Sequence, residues 1–337
     1  MMRRYEFAAF GLENLKLVER EDPTPGPGEV VVHVSAMSLN FRDLLVVKGQ
    51  YNPNIQLPAT PVSDAAGTIG AVGDGVTRVK PGDRVLTHFI SDWIDGPFEK
   101  RHVGSTLGVP GPGAAAEKVL LPERAVVKAP RGLGFPEAST LPIAALTAWN
   151  VLATEGNLKP GQWVLTLGTG GVSVFAVQLA KAMGAKAIIT SSSDEKLERA
   201  KKLGADVAIN YKENPRWDKT VLEATGGEGA DVVVETGGIA TMNASLKCAR
   251  AGGLIGVLGG VTGLSGEVNI APLTMRRLRV HGILVDSRAG FEKFLAFLEE
   301  HSIEPAIDRV FPFEKLADAL RHMESGSHFG KVVVARE

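Results

Sequence analysis

The sequence predicts an α/β protein of two domains, a small antiparallel β-barrel and a doubly wound parallel sheet. Three observations lead there. The chain has 337 residues, 44% hydrophobic and 22% charged, a globular balance with room for about two domains at roughly 150 residues each. Gly and Pro punctuate its first third every few residues, between short apolar runs. From about Pro160, apolar runs of strand length alternate with amphipathic stretches of helix length.

In the first third, Val30-Val31-Val32-His33-Val34 follows the turn formers Pro25-Gly26-Pro27-Gly28 and reads as a strand. Ala66 to Gly73 and Gly82 to Leu86 continue the pattern, which suits a small antiparallel barrel. Phe89 to Gly113, broken by Gly96-Pro97 and Pro110-Gly111-Pro112-Gly113, reads as a long loop of the kind that often serves function.

Farther on, Trp163 to Leu167 is a strand, Val172 to Met183 a helix ended by Gly184, and Lys186 to Thr190 a strand. Asp194 is the expected cap of a helix from Glu195 to Leu203, and Asp206 to Ile209 is the next strand. Asn214-Pro215 supplies a cap and first-turn proline for another helix. Asp231 to Glu235 and Leu254 to Leu258 complete the series, with a helix expected around Asn243 to Cys248. Such alternation means a parallel sheet with right-handed crossovers, and Val232-Val233-Val234 fits a strand buried on both faces. The tail reads as helix Phe291 to Glu300, strand Ile307 to Phe311, helix Phe313 to Met323 and strand Lys331 to Val334, and is expected to rejoin the first domain.

The formal net charge of -1, from 37 Lys and Arg against 38 Asp and Glu, gives no pull toward nucleic acid or anionic membrane. Met1 to Glu6 carries charge without an apolar segment behind it, so no secretory signal is expected. No apolar run reaches the roughly 18 residues of a membrane span, and a cytoplasmic protein is the expectation. The lone Cys248 excludes an intramolecular disulfide and any metal site of paired thiolates; it reads as an inert packed thiol.

Gly168-Thr169-Gly170-Gly171-Val172-Ser173 lies between an expected strand and an expected helix, the context in which a glycine fingerprint signals a dinucleotide. Gly168 permits the turn, Gly170 lets backbone approach a pyrophosphate, and the helix start at Gly171 or Val172 offers free N–H groups. Ser173 stands in the third glycine position, small enough for close packing and able to donate to phosphate. The second strand ends in Ser191-Ser192-Ser193, where an NAD-selective site would place a carboxylate on the ribose 2′-hydroxyl. Ser191, with Lys196 a turn on and Tyr211 after the third strand, makes a 2′-phosphate pocket, so the expected cofactor is NADPH; the competing reading of Lys196 is a solvated helix residue.

Taken with Ala66-Gly67-x-x-x-x-Val72-Gly73, Pro81-Gly82-Asp83-Arg84-Val85 and Thr140-Leu141-Pro142, this pattern resembles the medium-chain dehydrogenase/reductase superfamily over nearly the whole chain. The resemblance implies a GroES-like β-barrel catalytic domain over 1–128, completed by 284–337, and a Rossmann NADP-binding domain over 129–283. It implies an active site in the cleft between them and a homodimer or homotetramer. It tells against a zinc alcohol dehydrogenase: Asn40 stands where that branch has its first Cys ligand, Ser63 replaces the His, and the third position falls near Leu146. His33, His88 and His102 lack mutual ligand spacing, and no metal is expected.

The zinc-free quinone and enone reductases are the branch it resembles, and their motif is similar to Asn40-Phe41-Arg42-Asp43. By that resemblance Asn40 donates to substrate or nicotinamide ribose, and Tyr51 lines the pocket as proton donor or as packing; Leu45 departs from the family's second pocket tyrosine. Trp93, Ile94 and Phe98 of the long loop are read as covering the pocket mouth or a subunit contact. Glu235-Thr236-Gly237-Gly238 and Val257-Leu258-Gly259-Gly260 end two strands, placing Gly237 and Leu258 at the cofactor. The expected function is an NADPH-dependent oxidoreductase passing hydride to a quinone, enone or other activated alkene without zinc. The alternatives are a zinc-free alcohol/carbonyl dehydrogenase and a non-enzymatic nucleotide-binding sensor. The expected partner is a small-molecule substrate.

Overall fold

The structure, a computed structural model, describes residues 1–336. It divides into two units, Met1–Ala144 with Val285–Glu337 and Ala145–Leu284. Strand β1 (Met2–Phe7) pairs antiparallel with β2 (Leu15–Arg20). The strands β3 (Glu29–Ser38), β4 (Asp64–Val72), β5 (Arg84–Thr87), β6 (Lys118–Pro122) and β7 (Val126–Lys128) follow, with helix α1 (Phe41–Val47) after β3 and α2 (Phe135–Ala138) after β7. Two glycines of the motif that carries the resemblance are required by close approach: a Cβ on Gly67 would lie 2.0 Å from the His33 carbonyl oxygen, and one on Gly73 1.8 Å from that of Gly26.

The second unit opens with α3 (Leu146–Trp149) and continues as β8 (Trp163–Leu167), α4 (Gly171–Ala182), β9 (Lys186–Ser191), α5 (Asp194–Lys202), β10 (Val207–Asn210), α6 (Trp217–Ala224), β11 (Ala230–Glu235), α7 (Ile239–Cys248), β12 (Ala249–Val257), α8 (Ala271–Met275) and β13 (Arg279–Gly282). Its six strands are parallel, in the order β10-β9-β8-β11-β12-β13. Numbered within the unit that is 3-2-1-4-5-6, the Rossmann order, whose reversal falls between β8 and β11. Leu165, Ile188, Val233 and Ile255, one from each of four neighbouring strands, are fully buried.

Two helix starts differ from expectation. Ser193, not Asp194, caps α5, its hydroxyl accepting the Lys196 N–H at 3.4 Å, while Asp194 is the first helical residue. Both are good capping types, and the one with extended backbone takes the role. Helix α6 begins at Trp217, two residues past Pro215, because Asn214 spends its side-chain amide on the Thr220 hydroxyl at 2.7 Å.

The tail supplies α9 (Arg288–His301), β14 (Ile307–Pro312), α10 (Leu316–Glu324) and β15 (Lys331–Ala335). Strand β15 pairs antiparallel with β3, completing a sheet of order β14-β15-β3-β4-β5-β7 with β6 also on β3. Phe313, Leu316, Leu320, Val332 and Val334 from the tail share one core with Val30, Val32, Val34 and Leu121. The first boundary lies at Ala144, later than 128, because α2 packs on β3, β4 and β15. No helix among the described residues is long and apolar enough to cross a membrane.

Candidate functional site

In the second unit, the residues singled out in the sequence follow the carboxyl ends of adjacent parallel strands. Gly168 follows β8, Ser191 ends β9, Tyr211 follows β10, Gly237 comes two residues after β11, and Leu258 follows β12. Gly168 turns with φ +73°, and neither it nor Gly170 has any atom within 4 Å of where a Cβ would sit. Gly170 is the N-cap of α4, so no side chain caps the first-turn N–H groups. Backbone donors without a side-chain acceptor, at the positive end of a 12-residue helix, suit a diphosphate. The residues fit a dinucleotide.

Ser173 performs only the packing part of its expected role. It is buried, and its hydroxyl donates to the Leu167 carbonyl at 2.6 Å, which ties the start of α4 to the end of β8. Thr169, also buried, sits in the turn between them. Gly171 and Val172 open the helix. Thr236 donates to the same Leu167 carbonyl at 2.7 Å, joining the ends of β8 and β11 at the point where strand order reverses.

At the end of β9, Ser191 is buried, its Oγ accepting the Ser193 N–H at 3.3 Å and its carbonyl accepting the Tyr211 N–H at 3.0 Å. Tyr211 is exposed and Lys196 half-buried. The nearest acid on this edge, Asp194, accepts from the Asn210 amide at 2.8 Å. Ser191, Lys196 and Tyr211 therefore lie around the ends of two adjacent strands, with a hydroxyl rather than a carboxylate at the end of β9.

Glu235, which sequence reasoning passed over, organises the next two strand ends. Fully buried, it accepts through Oε1 from the N–H groups of Gly237 and Gly238 at 2.8 and 3.0 Å and from the Thr241 hydroxyl at 2.7 Å. Its Oε2 accepts from the Ser245 hydroxyl, and its backbone carbonyl accepts the Leu258 N–H at 3.0 Å. Gly237 and Leu258 thus hang on one residue. A signal was present: a carboxylate ending the apolar run Val232-Val233-Val234 must find donors when buried, and the glycines beside it provide backbone N–H groups.

In the first unit, Asn40 is the N-cap of α1, with Asp43 Oδ2 accepting its backbone N–H at 2.8 Å. Its side chain also bonds groups outside the helix. Nδ2 donates to Asp64 Oδ2 at 2.8 Å, and Oδ1 accepts from Lys331 Nζ at 2.7 Å. Lys331 also donates to the Leu39 carbonyl at 2.7 Å and lies 3.9 Å from Asp64, with both side chains nearly inaccessible, at 3% and 0%. Ser38 donates to Asp64 at 3.3 Å. Burial pushes the Asp64 carboxyl up to about 6 against the pull of Lys331 and Asn40. Burial likewise raises the Asp43 carboxyl, against the pull of Arg42, and lowers the Lys331 ammonium.

Arg42 forms the other half of this cluster. Nη1 donates to the Ser63 hydroxyl at 2.6 Å and the Leu107 carbonyl at 3.1 Å, and Nη2 to the Val109 carbonyl at 3.1 Å. Its guanidinium lies 4.7 Å from the Tyr51 ring centroid and 4.9 Å from that of Phe89, a cation between two π faces. Tyr51 is half-exposed, its ring held by Arg42. Val62, just before Ser63, is fully buried at φ +72°, a costly conformation for a β-branched residue and typical of a locally over-determined site.

Arg42 also settles the long loop. Phe89 to Gly113 is folded: Ser91 N–H bonds the Ser105 carbonyl at 3.0 Å, Leu107 N–H that of Phe89 at 2.9 Å, and Arg42 grips its far arm. Trp93 is buried, with Phe98 edge-on to it at 5.1 Å and His102 stacked on it at 6.2 Å. The Trp93 and Ile94 carbonyls accept N–H bonds from Arg288 and Ala289 at the start of α9. These aromatics are the loop's own core; Phe98 stays partly exposed. Leu45 is half-buried on α1.

Zinc does not fit the residues at these positions. The Asn40 and Ser63 oxygens already accept from an ammonium and a guanidinium, and a divalent cation beside two such cations is disfavoured. Among the described residues no group of three or more His, Cys, Asp or Glu side chains is placed to hold a metal ion. His33 is exposed, the His88 ring nitrogen Nε2 meets the Asp286 carbonyl at 3.1 Å, and His102 Nδ1 accepts the Glu99 N–H at 3.0 Å.

Comparison with known proteins agrees with the two-unit fold and leaves the metal question open. The zinc-binding dehydrogenase family matches residues 171–300, and the alcohol dehydrogenase GroES-like domain matches 26–131. A zinc-type alcohol dehydrogenase-like protein of Schizosaccharomyces pombe is 43% identical over 96% of both chains. A solved NAD-dependent alcohol dehydrogenase is 36% identical with a TM-score of 0.91, covering 99% of both chains. The Escherichia coli quinone oxidoreductase, solved in complex with NADPH, is 26% identical with a TM-score of 0.83, again covering 99% of both. With a GroES-like unit, a Rossmann sheet in 3-2-1-4-5-6 order and relatives matched end to end, the chain belongs to the medium-chain dehydrogenase/reductase superfamily of NAD(P)H-dependent oxidoreductases.

Proposed function

We propose that this oxidoreductase is a zinc-independent, NADPH-dependent reductase of quinones, enones or other activated alkenes. The observation that carries the reading is a pair of cations, the buried Lys331 on the Asn40 amide oxygen and the partly buried Arg42 on the Ser63 hydroxyl, where zinc relatives place ligands. Oxidation of a simple alcohol needs its oxygen held as an alkoxide, for which a metal is the usual device. Reduction of a conjugated carbonyl needs only hydrogen-bond donors for charge developing on a distant oxygen.

A reduced nicotinamide supplies a hydride when bound. The first-turn N–H groups of α4 would hold its diphosphate, and Ser191, Lys196 and Tyr211 its ribose 2′-phosphate. The Asn40 amide, with one N–H bonded to Asp64, keeps a second for an acceptor oxygen. The Tyr51 hydroxyl, on a ring fixed by Arg42, is the proton source for the reduced substrate.

The test is NADPH oxidation against a panel of quinones and enones, with alcohols and NADP+ in reverse. Turnover of alcohols alone, or loss of activity on chelation with stoichiometric zinc in the protein, would refute the reading. The relatives bearing alcohol dehydrogenase names favour that second reading. NADPH should bind more tightly than NADH by roughly tenfold or more, the worth of about 1.4 kcal/mol, and Lys196→Ala should narrow the gap; equal affinities in the parent protein would remove the 2′-phosphate argument.

A homodimer is proposed as well, with the cytoplasm as compartment. Strand β13 ends the six-stranded sheet with every residue exposed. Val280 within it is 45% exposed, and Leu264 and Met275 earlier in the same unit are 91% and 84% exposed; an unpaired edge with exposed apolar side chains is what a second copy would cover. Val280→Lys should lower the mass seen by light scattering to that of one chain; a parent protein already monomeric would overturn this.

A further inference from the structure

Asn40 is held by more than the helix it caps. Lys331 comes from the opposite end of the chain, 291 residues away, brought there because β15 pairs with β3 and the Leu39 N–H bonds the Val332 carbonyl at 2.9 Å. Gly330 makes this entry possible: it turns with φ +75°, and a Cβ on it would sit 2.3 Å from the Ala306 carbonyl oxygen.

The amide of Asn40 is bracketed by a donor-only group on its oxygen and an acceptor-only group on its nitrogen. Rotating it by half a turn would set NH2 against ammonium and oxygen against carboxylate. Its orientation is therefore locked, and the cation on the oxygen draws charge from the nitrogen and strengthens its remaining N–H as a donor. A buried lysine is costly where an apolar side chain of similar length would pack. What the charge adds here is orientation.

We propose that Lys331 is a positioning residue of the reductase site: with Asp64 as counterpart, it fixes the Asn40 amide so that its second Nδ2 hydrogen meets the oxygen on which negative charge develops. This rests on the reading of Asn40 as a donor to the reacting groups.

The experiment is a double-mutant cycle on the full chain with NADPH and 9,10-phenanthrenequinone. Lys331→Met should cut kcat by roughly 10²-fold, the scale of losing an aligned geometry, while KM for NADPH moves less than about threefold, since the phosphate loop belongs to the other unit. Asn40→Ala should cost about the same, and the two combined little more than either. Because Lys331→Met leaves Asp64 buried without a counterion, Lys331→Met/Asp64→Asn, neutral throughout, stands in should the single variant not fold. A folded variant with parent kcat, while Asn40→Ala is slow, overturns the role of Lys331 and leaves the donor reading standing. Additive losses also overturn it, since a fold-wide effect would not depend on Asn40. Parent-like turnover of Asn40→Ala removes the donor reading and the role of Lys331 with it.

Discussion

His88 should make the first unit labile in mild acid, and the effect can be worked through. The ring is fully buried, packs beside Phe291 at 6.3 Å, and places Nε2 3.1 Å from the Asp286 carbonyl. Only an Nε2–H tautomer can make that bond; Nδ1 is then the unprotonated nitrogen, and it has no partner. Protonation would bury a second N–H without an acceptor and a charge near Arg288 and Arg78. Burial accordingly pushes the imidazole down to about 4, with both arginines adding to the effect. Below the unfolded value near 6.5 the unfolded chain takes up a proton that the folded one refuses, so stability falls as pH falls. The loss is about 2 kcal/mol by pH 5 and about 3 kcal/mol by pH 4, at about 1.4 kcal/mol per pH unit. Asp64 acts in the opposite direction. Its raised value means the folded state binds a proton first, so its contribution improves as pH drops through 6. The parent protein's profile therefore mixes the two. His88→Gln separates them, since glutamine retains a donor for the Asp286 carbonyl and removes the titration. Urea unfolding at pH 7.5 and pH 5 should show the variant gaining about 2 kcal/mol relative to the parent between the two. Parallel changes within about 0.5 kcal/mol, or an NMR titration of the His88 ring with a midpoint above 6, would refute the argument.

Glu235→Ala should destabilise the second unit by roughly 3 kcal/mol or more, because two glycine N–H groups and two hydroxyls lose their acceptor. Urea unfolding reads it, and a change under about 1 kcal/mol would show that water replaces the carboxylate. Cys248, buried with burial pushing its thiol up to about 12, should give no reaction with a disulfide reagent at pH 8 in the native protein and one equivalent in denaturant; rapid native labelling would contradict its packing.

The fold was legible because its signals are local and periodic. Apolar runs of about five residues alternating with helices are a pattern that a parallel sheet satisfies, and the 3-2-1-4-5-6 order follows once the glycine-rich turn marks the first strand. The misplaced boundaries were decided by competition between neighbours of similar chemistry. Ser193 and Asp194 are both capping types, and Asn214 was expected to cap but bonds Thr220 instead. The loop from Phe89 to Gly113 was opaque for another reason: Arg42, some 65 residues before Leu107, holds it, and nothing in its own sequence names its anchor.

The site was half legible, and the division follows how each part is built. The candidate phosphate cradle is made of consecutive backbone groups, so glycine spacing writes it into one short segment. The Asn40 cluster is made of side chains from β3, α1, β4 and β15, and of these only Asn40, Arg42 and Asp43 share a motif. A sequence comparison registers Asn40 and Ser63 as two missing zinc ligands. The fold shows instead that each oxygen has gained a cation, Lys331 or Arg42, and that both cations are balanced by the buried Asp43 and Asp64. Removing a metal ligand would leave a polar cavity to be satisfied by water. Here the chain satisfies it with its own charges, which fixes the amide and hydroxyl more rigidly than solvent would. Under the function proposed above, a site so wired would take a neutral carbonyl oxygen on the second Asn40 N–H rather than a metal-bound alkoxide, and for that reason the proposal rests on Lys331 and Arg42 rather than on the cysteine count.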